Sequence, residues 1–89
     1  MAITQSAIAV STTAVLLAAP DFQPQKVTLH NLGSGTNKEV YIGNADVTVL
    51  GSVELNPDVF ITLTLDPGDA LYGICSGSTT MGVMIQKQD

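Results

Sequence analysis

The chain has 89 residues, 45% of them hydrophobic and 12% charged, and three lysines against eight carboxylates leave a net charge of −5 with no arginine. That length makes one domain able to bury roughly 60–65% of its unfolded surface, and the missing basic patch argues against binding DNA, RNA or an anionic membrane. A charge content about half the ordinary ~25% is thin cover for a small monomer and points to a surface shielded by other copies, a neutral Ser/Thr/Asn/Gln surface being the alternative.

Met1–Ser6 carries no pattern, and residues 1–7 are read as an N-terminal arm ahead of a single domain over 8–89. Ile8 and Val10 alternate with Ala7 and Ala9, which suggests a short first strand. Ala7–Ala19 is rich in alanine, valine and leucine, but no lysine or arginine precedes it and Ser11–Thr13 interrupt it. Its longest apolar run, Ala14–Ala19, falls far short of the ~20 residues of a membrane span, so the expectation is cytoplasmic synthesis with no export signal. Ala14–Ala19 itself reads as a second short strand in preference to one helical turn, ended by Pro20.

Asp21–Gln25 reads as a loop. Lys26–Leu32 alternates, with Val27 and Leu29 on one face and Thr28 and His30 on the other. Asn31–Lys38 holds Gly33 and Gly35 and reads as a turn region. Glu39–Gly43 is a strand with Val40 and Ile42 together and Tyr41 opposite, followed by a turn at Gly43–Asp46. Val47–Leu55 is mixed and broken near Gly51; Asn56–Asp58 turns again. Val59, Ile61, Leu63 and Leu65 then share one face, and Phe60, Thr62 and Thr64 the other. Pro67 and Gly68 fit the central positions of a type II turn, because proline presets φ near −65° and glycine accepts the positive φ that follows. Ala70–Cys75 is the next strand, Ser76–Ser78 a turn, and Thr80–Lys87 the last strand, with Met81, Val83 and Ile85 together. Seven to eight short strands with turn signals every 8–12 residues make an all-β fold, a small antiparallel β-sandwich or jelly-roll-like barrel.

Residues able to do chemistry are few. His30 is the single histidine and Cys75 the single cysteine. A Cys–His or Ser–His–Asp set is imaginable, but no Gly-x-Ser-x-Gly elbow is present. The reading is therefore a structural histidine and a buried, inert thiol, with no catalytic residues. One His and one Cys do not build a zinc tetrahedron. Asp66 and Asp69 are accounted for by turn chemistry rather than calcium. No metal and no cofactor is expected. Large side chains on faces that a sandwich should leave wet suggest subunit contacts instead; the candidate interface residues are Ile3, Phe22, Tyr41, Phe60, Tyr72, Ile74 and Met84.

Three segments together resemble a known group. They are Val27-Thr28-Leu29-His30-Asn31-Leu32-Gly33, then Glu39-Val40-Tyr41-Ile42-Gly43 followed by Ala45-Asp46-Val47-Thr48, and then Leu65-Asp66-Pro67-Gly68-Asp69-Ala70-Leu71-Tyr72-Gly73-Ile74 with a final strand containing Val83 and Ile85. From about Ile8 to Ile85 the chain resembles the small β-sandwich structural proteins of tailed bacteriophage virions, which include capsid decoration (cement) proteins. The resemblance implies a non-enzymatic virion subunit on the capsid surface, a homo-oligomer with the trimer favoured, and the major capsid protein as partner. The alternative it leaves is a tail or fibre module that binds host-surface glycans.

Overall fold

Eight strands and no helix make up the described residues, 3–49 and 53–87, of the computed structural model. In chain order they are β1 (Ile3–Val10), β2 (Val15–Ala18), β3 (Gln25–Asn31), β4 (Val40–Gly43), β5 (Val53–Leu55), β6 (Phe60–Leu65), β7 (Leu71–Cys75) and β8 (Thr79–Lys87). They form two four-stranded antiparallel sheets, ordered β1-β8-β3-β6 and β2-β7-β4-β5. The fold is all-β, as the alternation requires.

Each sheet turns its apolar face inward onto one core. Val10, Val27, Leu29, Leu65, Met81 and Val83 come from the first sheet, and Leu17, Ala18, Val40, Ile42, Leu55, Leu71 and Cys75 from the second. The expected inward positions of β3, β4 and β8 hold, with Ile61, Leu63 and Ile85 half-buried against the same cluster. Within Ala14–Ala19, Val15–Ala18 settles as a strand, because pairing with β7 lets Leu17 and Ala18 enter the core. The pairing shifts register between Leu16 and Ala18. Gly73 of β7 leaves room for the Leu17 side chain: a Cβ there would lie 2.8 Å from Leu17 Cδ1.

Most strands shift by a residue at an end from the sequence expectation, β3 beginning at Gln25, which the sequence places in a loop, and three differences are larger. Ile3–Ala7, read as an arm, are part of β1, paired in register with Gln86–Gly82 of β8. Neither face of that stretch is rich in large apolar side chains, so alternation did not reveal it. Val59, placed with the inward residues of β6, is exposed and lies ahead of the strand. Asp58 takes a positive φ of 63°, and the Val59 N–H closes a turn on the Asn56 carbonyl. Among the described residues of the mixed stretch Val47–Leu55, Val53–Leu55 alone are strand; the break expected at Gly51 lies outside the described residues. The turn at Asp66–Asp69 has the anticipated form, with Gly68 at φ 88° and the Asp69 N–H donating to the Asp66 carbonyl at 3.0 Å.

A polar hub closes one end of the sandwich. Asn31 is fully buried at the end of β3. Its Nδ2 donates to the Lys38 and Leu55 carbonyls, at 2.6 and 3.0 Å. Its Oδ1 accepts from the Gly33 N–H and the Thr79 hydroxyl, each at 3.0 Å. All four hydrogen-bonding positions of the amide are used, so one side chain ties both sheets and the β3–β4 loop.

Candidate functional site

The outer face of the β1-β8-β3-β6 sheet carries the most distinctive surface of the molecule. Residues aligned across the strands form the row Ala7, Gly82, His30, Phe60, and the next row is Gln5, Met84, Thr28, Thr62. The small residues at one end of the first row and the rings at the other produce a shallow groove of about 500 Å³. Ala7 and Gly82 floor it; His30, Phe60, Leu32 and Met84 wall it. The His30 and Phe60 rings are stacked, with centroids 3.9 Å apart and planes 9° from parallel. His30 Nε2 lies 2.9 Å from Asp58 Oδ1, which holds the imidazole upright beside Phe60. Thr28 and Thr62 pair through their hydroxyls at 3.2 Å.

The candidate interface residues divide into groups. Phe60 (65% exposed), Met84 (43%) and Ile3 (61%) all stand on this outer face. Phe22 (98% exposed) stands apart, on the β2–β3 loop. That loop is joined to the β6–β7 turn by the Gly68 N–H donating to the Asp21 carbonyl, and to β8 by the ion pair of Lys87 with Asp21. Phe22, Pro20 and Pro67 frame a small hollow there. Tyr72 and Ile74 are half-buried on the outer face of the other sheet.

Tyr41 requires a correction. It is on the outer face, opposite Val40 and Ile42, yet only 4% exposed. Ile74 and Glu54 flank it in register, and its hydroxyl donates to Glu54 Oε2 at 3.0 Å. Its own chain covers it, so it has little surface to offer a partner. Burial, and then the Glu54 carboxylate, hold its phenol above the ordinary range. Conversely, Leu32 and the Ala7–Gly82 floor belong to the groove without having drawn notice in the sequence. A glycine in a strand was the available signal.

The residues with reactive side chains are not brought together. The Cys75 thiol is buried in β7, donating to the Asn37 carbonyl at 3.3 Å and accepting from the Gly77 N–H at 3.4 Å. His30 is on the outer face of the other sheet, committed to Asp58 and Phe60. Among the described residues no three His, Cys, Asp or Glu side chains gather as metal ligands. The arrangement offers apolar area, stacked rings and open strand edges, which is the equipment of a binding surface. No family model, no curated protein and no solved structure matches the chain.

Proposed function

We propose that this chain is a non-enzymatic structural protein of a tailed-phage virion, a decoration or cement subunit that holds the major capsid protein at the head surface and works as a trimer. The observation that supports this reading is the placement of apolar side chains beyond the needs of the core. Ile3, Leu32, Phe60 and Met84 are exposed around one sheet face, and Phe22 projects from a braced loop. Covering such area is worth ~25 cal/mol per Å², less the cost of association. A contact of standard size, ~800 Å² per partner, repeated over a shell, resists internal pressure without any single strong bond. The acidic balance of the chain suits a basic patch on the partner.

Sedimentation equilibrium and rebinding to undecorated shells test the proposal together. A trimer that binds shells is the expected result; a stable monomer that ignores them overturns it. The His30–Phe60 wall beside Asp58 favours one other reading, a tail or fibre module holding host glycans, since an exposed ring next to convergent polar groups suits a sugar. Glycan-array binding that disappears in Phe60→Ala supports that alternative.

A further inference from the structure

A strand edge is a row of unpaired N–H and C=O groups, which folded chains ordinarily blunt with charge, proline or a bulge. Both edges of the β1-β8-β3-β6 sheet are plain. β1 has eight residues and β6 six, with no charged residue and no proline in either. Two hydrogen bonds reveal which backbone groups are left open. The Asn31 N–H donates to the Val59 carbonyl at 3.2 Å, on the β6 side, and the Leu32 N–H to the Thr80 carbonyl at 2.9 Å, on the β8 side. Along an antiparallel strand these directions alternate residue by residue. Carried through the registers, the outward groups are those of Ile3, Gln5, Ala7 and Ala9 on β1, and of Phe60, Thr62 and Thr64 on β6.

We infer that copies of this chain join through these two edges, β6 of one copy pairing antiparallel with β1 of the next, so that the sheet continues from subunit to subunit. The inference deepens the assembly reading above and rests on its claim that copies meet. Strand direction allows it: alternation across the sheet makes β1 and β6 antiparallel, so a neighbour in the same orientation presents the right edge. Side-chain size selects the register. Continuing the row Ala7, Gly82, His30, Phe60 without stagger sets Phe60 opposite Ala7 of the next copy, Thr62 opposite Gln5, and Thr64 opposite Ile3. His30 covers one face of the Phe60 ring. The other face turns off the edge, onto the neighbour's Ala7–Gly82 floor, where a large ring meets the two positions with least side chain.

Charge disfavours the symmetric choice centred on β6. Pairing β6 with β6 about Thr62 places Asp58 opposite Asp66 twice, a repulsion in a chain already at −5. β1 carries no carboxylate, and Asp58 then stands opposite Ala9. Pairing β1 with β1 leaves Phe60 in water. A contact between two different edges is heterologous, and it closes into a ring when the rotation per subunit allows; the trimer is such a ring.

Disulfide trapping tests the pairing. Within one copy β8 and β3 separate Gln5 from Thr62, about 14 Å at ~4.8 Å per strand, beyond the Cα reach of a disulfide. A Gln5→Cys/Thr62→Cys double variant, mildly oxidised and run on a denaturing non-reducing gel, is expected to give covalent dimers and trimers, with each single variant remaining mostly monomeric. An oligomer that yields no such links, or single variants that cross-link as well as the double, overturns the edge pairing and leaves the assembly reading standing. A monomer at all concentrations overturns both. Ala7→Lys supplies a second measurement: a charge on the paired edge is expected to weaken association at least about tenfold while leaving the unfolding midpoint unchanged at dilutions where the parent is itself dissociated, and undiminished association refutes the pairing.

Discussion

Asn31 sits in a sequence that reads as the end of a strand entering a glycine-rich turn, yet its buried amide satisfies two carbonyls, one backbone N–H and one hydroxyl. Removing it leaves the Leu55 carbonyl unsatisfied in the interior, at ~1–3 kcal/mol for a buried group, and deprives three part-buried groups of their partner at a smaller cost each. Asn31→Ala is therefore expected to cost about 3–5 kcal/mol, read as a lower urea midpoint at an unchanged slope. Two titrating groups bracket the pH range. The Lys87 ammonium, then the Gln23 N–H, hold the Asp21 carboxyl below the ordinary range. The folded chain thus binds that proton less readily than the unfolded chain. Its stabilisation is full above the unfolded value of ~3.9 and is lost as pH falls through the folded value. Asp21→Asn should flatten the acid limb of the stability profile. Tyr41 is the reverse case. Its raised phenol gives stability that is full below ~10 and is lost as pH rises through the folded value, so Tyr41→Phe should soften the alkaline limb, followed by thermal melts between pH 9 and 11. The partnerships with Lys38, Leu55 and Thr79, with Lys87, and with Glu54 were not legible in the sequence, since each joins segments distant in the chain; only the Gly33 and Gln23 N–H contacts are local, two residues away.

At the scale of the element, legibility follows how sharply a strand's two faces differ. β3 and β6 alternate valine, leucine and isoleucine with threonine, lysine and histidine, and their inward faces stood out. β1 puts Thr4 and Ser6 inward and Gln5, Ala7 and Ala9 outward, so its first half passed for an arm. β2 is short and alanine-rich, and only β7 decides its conformation. Two glycines separate core from surface. Gly73→Val drives a side chain against Leu17, whose Cδ1 stands 2.8 Å from the Cβ position; overpacking of this kind costs about 1–3 kcal/mol, measurable by denaturant unfolding. At Gly82 an added Cβ meets nothing nearer than 3.6 Å and points to the outer face, which makes Gly82→Leu the contrasting variant. It should leave unfolding within about 0.5 kcal/mol of the parent at dilutions where both are dissociated, and weaken the proposed association by filling the floor that the neighbouring copy's Phe60 would occupy.

For the whole molecule, the proposed self-association through apolar side chains left outside the core would make stability a function of concentration. A ligand that binds only the folded state raises its stability by mass action, and a second copy is such a ligand. The melting temperature is expected to rise with protein concentration, and the rise to vanish in Ala7→Lys. A melt independent of concentration over two decades would remove self-association from the account. The candidate surface was partly visible beforehand. Phe60 and Met84 could be named because period-two alternation sets them opposite the core residues. The groove could not, because it is made by Ala7 and Gly82, two residues 75 positions apart in the chain that β1–β8 pairing sets side by side.

Alternation, turn chemistry and the scarcity of charge are local properties, and they by themselves determined an all-β chain of short strands with more apolar side chains than one small core can hold. Strand order and register are relations between distant segments. They alone decided that β1 and β6 lie at opposite edges of one sheet, that Tyr41 is covered by Ile74 and Glu54, and that Phe60 stacks on His30 in line with Ala7 and Gly82. The physical reason is that backbone pairing fixes which side chains become neighbours, while the pattern along a strand fixes only which way they face.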